Sequence, residues 1–181
     1  MVLNAGDLTL TLLPVSVPGT PVSISLGNIG GTPVALSARG SRAIVTTGDE
    51  GVVAAIDLAA EQSVLVYHMP ARAGALGSAF VNDSIVYVAN PFVNRVTRLN
   101  LRTGDTASVL VGQTPTAVAV TRGRVFIVNA NLEPGCPGPC VRGPSWLTVV
   151  DPDHNIAIDS IALPGPGNAG AILVGADGLL Y

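Results

Sequence analysis

The stretch from Leu76 to Val111, LGSAFVNDSIVYVANPFVNRVTRLNLRTGDTASVLV, decides the fold of this chain. It contains four short runs rich in Val, Ile, Leu and Thr. Turn signals separate these runs at residues 82–84, at Pro91 and at residues 102–105. Short apolar runs bounded by Asn, Asp, Gly and Pro are typical of β-strands joined by tight turns. The stretch therefore predicts one four-stranded antiparallel unit.

The same unit recurs along the chain. In each unit, a residue at the start of the first run lies eleven residues before a residue in the second run. This spacing occurs four times: Pro33 and Ile44, Leu76 and Tyr87, Pro115 and Phe126, and Gly170 and Tyr181. Successive units start 43, 39 and 55 residues apart, and the longest interval contains a Gly- and Pro-rich insertion, roughly Asn131 to Ser145. Self-similarity at a period near 40 residues indicates a repeat architecture.

A four-stranded unit of this size cannot bury both of its faces alone, whereas units stacked around an axis cover one another. The run Ile85-Val86-Tyr87-Val88 is apolar on both faces, as such packing requires. The expected fold class is therefore all-β, a β-propeller of four-stranded antiparallel blades, with about three full blades and two half blades. The expected boundaries are a half blade at 7–27, blades at about 31–69, 74–111 and 113–163, and a half blade at 168–181.

Two further expectations concern the strands within each blade. The runs at 33–37, 76–81 and 115–121 are expected to be innermost. The alanine-containing segment from Val52 to Glu61 is compatible with a short helix, but the repeat favours a strand there.

Composition excludes several classes of protein. Apolar residues make up 48% of the chain and charged residues 12%, which is unlike a disordered protein. The net charge is −3 and no basic cluster is present, so we expect no nucleic-acid partner. The apolar runs are far shorter than the roughly 18 residues of a transmembrane helix, so no transmembrane segment is expected.

The second runs of the units carry a family resemblance. The segments Tyr87-Val88-Ala89-Asn90, Phe126-Ile127-Val128-Asn129 and Ile44-Val45-Thr46-Thr47 resemble the motif of YVTN-type β-propeller repeats. The likeness extends from about residue 8 to the end of the chain. It implies a larger, typically seven-bladed propeller whose remaining blades belong to the same chain. It also implies a location outside the cytoplasm, in the periplasm, on the cell surface or secreted, although this segment shows no signal peptide.

The ends of the chain fall inside units. Met1 precedes a third strand, and Tyr181 lies within a second strand. We expect an open arc whose edge strands promote self-association. The alternative is a closed ring of four blades, in which the two half blades pair with each other.

Cys136 and Cys140 enclose Pro-Gly-Pro in the insertion. In an exported protein, a disulfide between them is the preferred interpretation. Free thiols in a reducing compartment are the alternative. A zinc site is disfavoured, because it needs four ligands and no second pair of Cys or His has ligand spacing.

Three other motifs are interpreted as structural and not as binding or catalytic sites. Residues 165–170 match Gly-x-Gly-x-x-Gly, but a β-like run follows instead of the helix that a dinucleotide site requires. Asp151, Asp153 and Asn155 are read as a turn, since the Gly and distal Glu of a calcium loop are missing. The two histidines, His68 and His154, leave little material for a catalytic triad.

Candidate binding residues come from the loops at one mouth of the expected central channel, where propellers usually bind ligands. These loops also carry Glu133, and the residues selected from them as candidate ligand-binding residues are Asp49, Glu50, Arg72, Asn90, Asn129 and Arg142. The sequence favours an exported binding module for a protein or a small ligand, without a catalytic site or cofactor. The alternative is a lactonase-like propeller hydrolase that uses a divalent ion, such as calcium, over the channel.

Overall fold

The computed structural model describes residues 1–14, 19–134, 138 and 140–181. Within these residues the chain forms four antiparallel sheets. The first sheet contains β1 (Val2–Asn4), β2 (Thr9–Leu12) and β3 (Val22–Ser25), and the second contains β4 (Ala35–Arg39), β5 (Arg42–Thr46), β6 (Val52–Asp57) and β7 (Gln62–His68). The third contains β8 (Ser78–Phe80), β9 (Ile85–Asn90), β10 (Arg95–Asn100) and β11 (Thr106–Leu110), and the fourth contains β12 (Pro115–Thr121), β13 (Arg124–Asn129), β14 (Trp146–Asp151) and β15 (Ile156–Ala162).

The architecture confirms the all-β propeller fold. In every sheet, each strand pairs with the next strand in the sequence, as propeller blades require. Residues 52–57 form β6 in the middle of the second sheet, so the helical interpretation of this segment is wrong. The only helical element in the described part of the chain is a 3₁₀ turn, η1, at Pro91–Val93.

The first sheet contains one more strand than the sequence indicated. β1 pairs with β2 in the register Val2 to Thr11 and Asn4 to Thr9. The Asn4 amide donates to the hydroxyls of Thr9 and Thr11 at 3.0 and 2.9 Å. A strand of three residues is too short to show a period of two, and for that reason the sequence did not reveal it.

The first strands of the second, third and fourth sheets lie side by side around the axis, as predicted. The hydroxyls of Ser37 in β4 and Ser78 in β8 are hydrogen-bonded at 2.7 Å. The backbone N–H of Gly77 donates to the carbonyl of Thr116 at 2.9 Å. A Cβ atom on residue 77 would lie 2.6 Å from the Cα atom of Ala117, so this close approach requires glycine.

The core consists of three apolar layers between successive sheets. Leu10 and Ile24 of the first sheet pack against the second sheet around Val45. The neighbouring residue Ile44 points the other way, into the layer that contains Val86 of the third sheet. Because adjacent residues of one strand enter different layers, each inner sheet is buried on both faces, and all six residues of β9 are buried.

Two tyrosine hydroxyls join consecutive sheets. Tyr67 donates to the carbonyl of Leu101 at 2.7 Å, and Tyr87 donates to the Asn155 side chain at 2.8 Å. Burial raises the pKa of Tyr87 to about 12. The charge of Arg98 opposes this shift, and the carboxylates of Asp151 and Asp153 reinforce it. Each bond ends on the neighbouring sheet, so these hydroxyls link adjacent blades.

A short hairpin follows the fourth sheet. Leu173 and Tyr181 exchange backbone hydrogen bonds of 2.9 Å, and Val174 pairs with Leu180. The Thr121 hydroxyl of β12 donates to the carbonyl of Gly178 at 3.0 Å, which places the hairpin beside the innermost strands. In the described part of the chain, no helix is long and apolar enough to cross a membrane.

Candidate functional site

The connections between strands form two faces. The upper face contains the links from a second to a third strand, and from a fourth strand to the first strand of the next sheet. The lower face contains the remaining hairpin turns. Among the described residues, the upper connections are residues 5–8, 26–34, 47–51, 69–77, 91–94, 111–114, 130–134, 138, 140–145 and 163–169.

Hydrogen bonds between neighbouring connections make the upper face continuous. Gly48 and Ala75 exchange two backbone bonds of 2.8 and 2.7 Å. The Asn94 side chain accepts from the N–H of Thr114 at 3.0 Å. Farther along, the N–H of Ala130 donates to Thr114 and the N–H of Asn168 donates to Ala130. The backbone of the upper face is therefore fixed from the second sheet to the fourth.

An exposed apolar patch lies on this face. It consists of Val34 and Phe92 together with the glycines beneath them, Gly48 and Gly74, and we call it the upper apolar patch. Val34 is 50% exposed and Phe92 is 58% exposed. The Phe92 ring contacts Gly74, where a Cβ atom would lie 3.1 Å from the ring, and Val34 similarly contacts Gly48.

The short η1 turn explains the exposure of Phe92. Pro91 fits the first position of the turn and is buried, whereas Asn94 ends it in the left-handed conformation with φ of 53°. The Phe92 N–H donates to the carbonyl of Ala73 at 3.3 Å. The backbone is thus held down on both sides while the ring projects outward.

Three of the predicted site residues lie on the same side of the upper face as this patch. Asp49 and Glu50 are exposed in the tight turn between β5 and β6, and Arg72 is exposed in the connection from β7 to β8. The Glu50 carboxyl group lies against Gly31, 2.9 Å from the position that a Cβ atom would take. Charged residues of both signs therefore lie in the connections that carry Gly48 and Gly74 of the upper apolar patch.

Asn90, another predicted site residue, is buried at the upper end of β9. Its amide nitrogen donates to the Gly74 carbonyl at 2.6 Å, and its amide oxygen accepts from the Thr97 hydroxyl at 2.5 Å. Thr97 in turn shares a 3.0 Å hydrogen bond with Ser108 on the outer strand. Asn90 thus joins the backbone under Phe92 to the outer part of the third sheet.

Asn129 occupies the corresponding position in the fourth sheet and is also buried. Its amide nitrogen donates to the Thr148 hydroxyl at 2.9 Å and to the Trp146 carbonyl at 3.1 Å. Its amide oxygen is buried and has no hydrogen-bond partner among the described residues.

Arg142, the sixth predicted residue, lies in the insertion between β13 and β14. It is exposed, and its guanidinium group donates to the Gln113 side chain at 2.8 Å. The Asn131 amide holds the other end of the insertion by donating to the Pro144 carbonyl at 3.0 Å. Cys136 lies outside the described residues, so its disulfide with Cys140 stays a prediction.

The six predicted residues lie in the connections of the upper face or at the strand ends beside them. Among the described residues, no hydrogen bond or ion pair joins any two of them. Phe92 was not predicted as a site residue, although an aromatic residue between Pro91 and Asn94 in a short connection is a signal for exposure.

The inner strands line the channel with small and apolar groups. Two adjoining cavities of about 370 and 410 Å³ lie between β4, β8, β12 and the hairpin after residue 169. Ser37, Ser78 and Thr116 supply hydroxyl groups, and Arg39 is the charged residue lining these cavities. Within the described ranges, no group of three or more His, Cys, Asp or Glu residues could hold a metal ion.

The histidine with an acidic partner lies on the lower face. His154 Nδ1 is 2.9 Å from a carboxylate oxygen of Asp151, and Arg124 approaches the other oxygen at 3.5 Å. The hydrogen bond from His154, with that from the Asp153 backbone, lowers the pKa of Asp151. These contacts stabilise the turn after β14.

Comparison with known proteins supports the fold. No family model and no curated protein matches the chain. Among solved structures, it is similar to hydrazine synthase of Kuenenia stuttgartiensis, with a TM-score of 0.74 and 13% identity over 97% of this chain and 49% of that one. It is also similar to virginiamycin B lyase from Staphylococcus aureus, with a TM-score of 0.71 and 11% identity over 97% of this chain and 56% of that one.

A third similar structure is the WD40 β-propeller domain of Doa1, with a TM-score of 0.70 and 9% identity over 96% of this chain and 53% of that one. The chain therefore spans about half the length of the solved structures it matches. Because propellers support many unrelated activities, likeness at these identities shows the fold alone. The chain is a β-propeller protein.

Proposed function

We propose that this chain is a protein-binding propeller module that holds its partner on the upper face, around Phe92. The observation that carries the proposal is the exposed Phe92 ring on a backbone fixed from both sides. Aromatic residues at the centre of a patch contribute a large share of binding energy in protein interfaces, and polar rims around them exclude water. Asp49, Glu50 and Arg72 supply such a rim.

The rigidity of the upper face supports the proposal. Hydrogen bonds between neighbouring connections already hold the backbone of the upper face in place. A partner that docks there therefore has little backbone to order, which lowers the entropic cost of association. Arg142 and the described part of the insertion extend the same face toward the fourth sheet. The charges of both signs favour a partner with a mixed polar surface around an apolar group.

The setting of the module is part of the proposal. The motif segments at 44–47, 87–90 and 126–129 support a YVTN-type repeat protein. That likeness favours a location outside the cytoplasm, where a Cys136–Cys140 disulfide would form. We assign no cofactor to the module. The lactonase-like alternative with a calcium ion remains a separate hypothesis that loop carboxylates from further blades would have to support.

Site-specific photo-crosslinking tests the proposed surface. A photoreactive phenylalanine analogue replaces Phe92 in one variant and Ile156 in a control, because Ile156 is 52% exposed at the lower end of β15. We expect the analogue at position 92 to capture a defined protein in cells, and the analogue at position 156 not to capture it. Equal capture from both positions, or capture from position 156 alone, would contradict the proposal.

A further inference from the structure

A second cleft lies on the lower face, between hairpin turns of the second and third sheets. Its volume is about 570 Å³, and its charged lining residues are Arg39, Arg42, Asp83 and Arg102. Nothing in the upper-face proposal uses these residues.

The cleft is positively charged in a protein whose net charge is −3. Three guanidinium groups face one carboxylate there. The Arg39 Nε donates to the Asp83 carboxylate at 3.1 Å, and the Arg42 Nη1 donates to the Asp83 backbone carbonyl at 2.9 Å. The Arg102 guanidinium makes no hydrogen bond or ion pair with the described residues.

Most N–H donors of the three arginines have no acceptor among the described residues. A guanidinium group carries five N–H donors in a fixed fork, and Arg39 and Arg42 each engage one of theirs in the contacts above. Arg42 also borders a smaller cavity with Asp57, but that carboxylate accepts from the backbone N–H groups of Ala59 and Ala60.

The backbone that presents these arginines is fixed before any ligand binds. The Asn82 side chain accepts from the N–H groups of Ser84 and Ile85, which shapes the turn that carries Asp83. The Ser84 carbonyl accepts from the N–H of Leu101 at 2.8 Å, and the Asn100 side chain accepts from the N–H of Arg102 at 2.9 Å. The two turns of the third sheet are thus joined to each other.

We propose that this cleft binds a doubly charged oxyanion group, a phosphate or a sulfate. A tetrahedral dianion offers enough acceptor oxygens to engage several guanidinium groups at once, and arginine forks match these oxygens in pairs. The cleft is larger than one such group, so it has room for the organic part of a phosphate or sulfate ester. The binding site lies on the opposite face from Phe92 and does not depend on the protein-binding proposal.

Titration of the full 181-residue chain tests this site. Inorganic phosphate, sulfate and phenyl phosphate are added at constant ionic strength, with chloride as the reference, while NMR follows the Nε–H signals of the arginines. We expect Arg39, Arg42 and Arg102 to shift with each oxyanion and not with chloride. Tighter binding of phenyl phosphate than of inorganic phosphate would identify an ester as the ligand, and equal binding would identify the free ion.

Substitutions decide whether the cleft is responsible. Arg102→Gln and Arg42→Gln should each raise the dissociation constant for phosphate at least about fivefold, because each removes a charge and a fork. Arg124→Gln is the matched control, since Arg124 pairs with Asp151 on the fourth sheet, and it should change the constant less than about twofold. Arg102→Lys should give an intermediate loss, because it keeps the charge without the fork.

Circular dichroism establishes whether each variant is folded. Because Arg102 is exposed, we expect Arg102→Gln to fold, and it tests the cleft even if Arg42→Gln does not fold. Equal dissociation constants for wild type and Arg102→Gln would overturn the proposal. An equal loss in Arg124→Gln, or equal shifts with chloride, would also overturn it.

Discussion

The upper ends of the third and fourth sheets differ although the repeat is the same. In the third sheet, a short connection follows Asn90, and both ends of the Asn90 amide are hydrogen-bonded. In the fourth sheet, the insertion follows Asn129, and the Asn129 amide oxygen is buried without a partner among the described residues. One repeat position therefore supports a saturated polar network in one blade and an incomplete one in the next.

The residues beside the two asparagines also differ between the repeats. Trp146 pairs with Asn129 in the fourth sheet where Arg95 pairs with Asn90 in the third. Residue 112 is Gly, whereas the residue 39 positions earlier is the buried Ala73. A Cβ atom at residue 112 would lie 2.3 Å from the Trp146 ring and 2.5 Å from the Asn129 side chain. The indole ring and the Asn129 side chain therefore occupy the space that a side chain at residue 112 would need.

The second sheet has a different residue at the same repeat position. Thr47 takes the place of the asparagines, and its hydroxyl accepts from the N–H of Val52 at 3.0 Å to close a tight turn. The repeat determines the strands, and the connections determine what each upper end can bind. Only the third sheet combines a saturated Asn with an exposed aromatic ring in the described part of the chain.

The largest effect is expected from Gly112→Ala. The added methyl group collides with two side chains that are packed together, so the free energy of unfolding should fall by about 3 kcal/mol. Urea unfolding followed by circular dichroism measures the loss. Ala73→Gly at the matching position loses one buried methyl group and adds backbone freedom to the unfolded chain, so it should cost only about 1 kcal/mol. Equal losses at the two positions would contradict the proposed difference between the two sheets.

Asn90→Ala should destabilise the protein more than Asn129→Ala. The first change leaves the Gly74 carbonyl and the Thr97 hydroxyl without their partner, at a cost of about 2 kcal/mol. The second removes the hydrogen bonds to Thr148 and Trp146, but it also removes a buried amide oxygen that has no partner among the described residues, so its net cost should be nearer 1 kcal/mol. Urea midpoints of the two variants in one buffer measure the difference, and a larger loss for Asn129→Ala would refute the described asymmetry.

Alkaline pH should weaken the contact between the third and fourth sheets through Tyr87. Its pKa is raised from 10.0 to about 12 in the folded protein, so ionisation favours the unfolded chain between these values. The stabilisation is complete below pH 10 and falls as the pH approaches 12, by on the order of 2 kcal/mol.

The control for this pH dependence is Tyr87→Phe. It removes the bond to Asn155 and should cost about 1 kcal/mol at neutral pH. Its unfolding free energy should then decline less than that of wild type between pH 10 and 12, while Tyr67 and Tyr181 titrate in both proteins. Parallel curves for the two proteins would show that Tyr87 does not titrate with the shifted pKa.

The smallest effect is expected from Arg142→Ala. Arg142 and Gln113 form an exposed hydrogen bond, and such contacts contribute within about 0.5 kcal/mol of zero. Thermal unfolding should show nearly unchanged stability. A loss as large as that of Asn90→Ala would mean that the insertion supports the fourth sheet, and not only the binding face.

The sequence predicted the repeating strands because period-two patterns and turn residues are local signals. The run Ile85-Val86-Tyr87-Val88, apolar on both faces, could be assigned to a strand buried on both sides without knowledge of its neighbours. The strand β1 escaped notice because three residues carry too little pattern.

The candidate site was less accessible from sequence. The repeat alone assigns the loops to a face, so the sequence places Asp49, Glu50, Arg72 and Arg142 in connections of the upper face. The burial of Asn90 and Asn129 was not foreseen, because their hydrogen-bond partners lie in other segments. The arginine cleft was missed for the same reason, since Arg39 and Arg102 lie far apart in the sequence.

The proposed role of Phe92 is to anchor a protein partner on the upper face. Its most direct test is the dissociation constant of the partner captured at position 92, measured by calorimetry with wild type, Phe92→Ala and Ile156→Ala. Loss of a central aromatic anchor should weaken binding by about 30-fold or more, and the equally exposed Ile156 should contribute less than about twofold. Equal affinities of Phe92→Ala and wild type would contradict the claim.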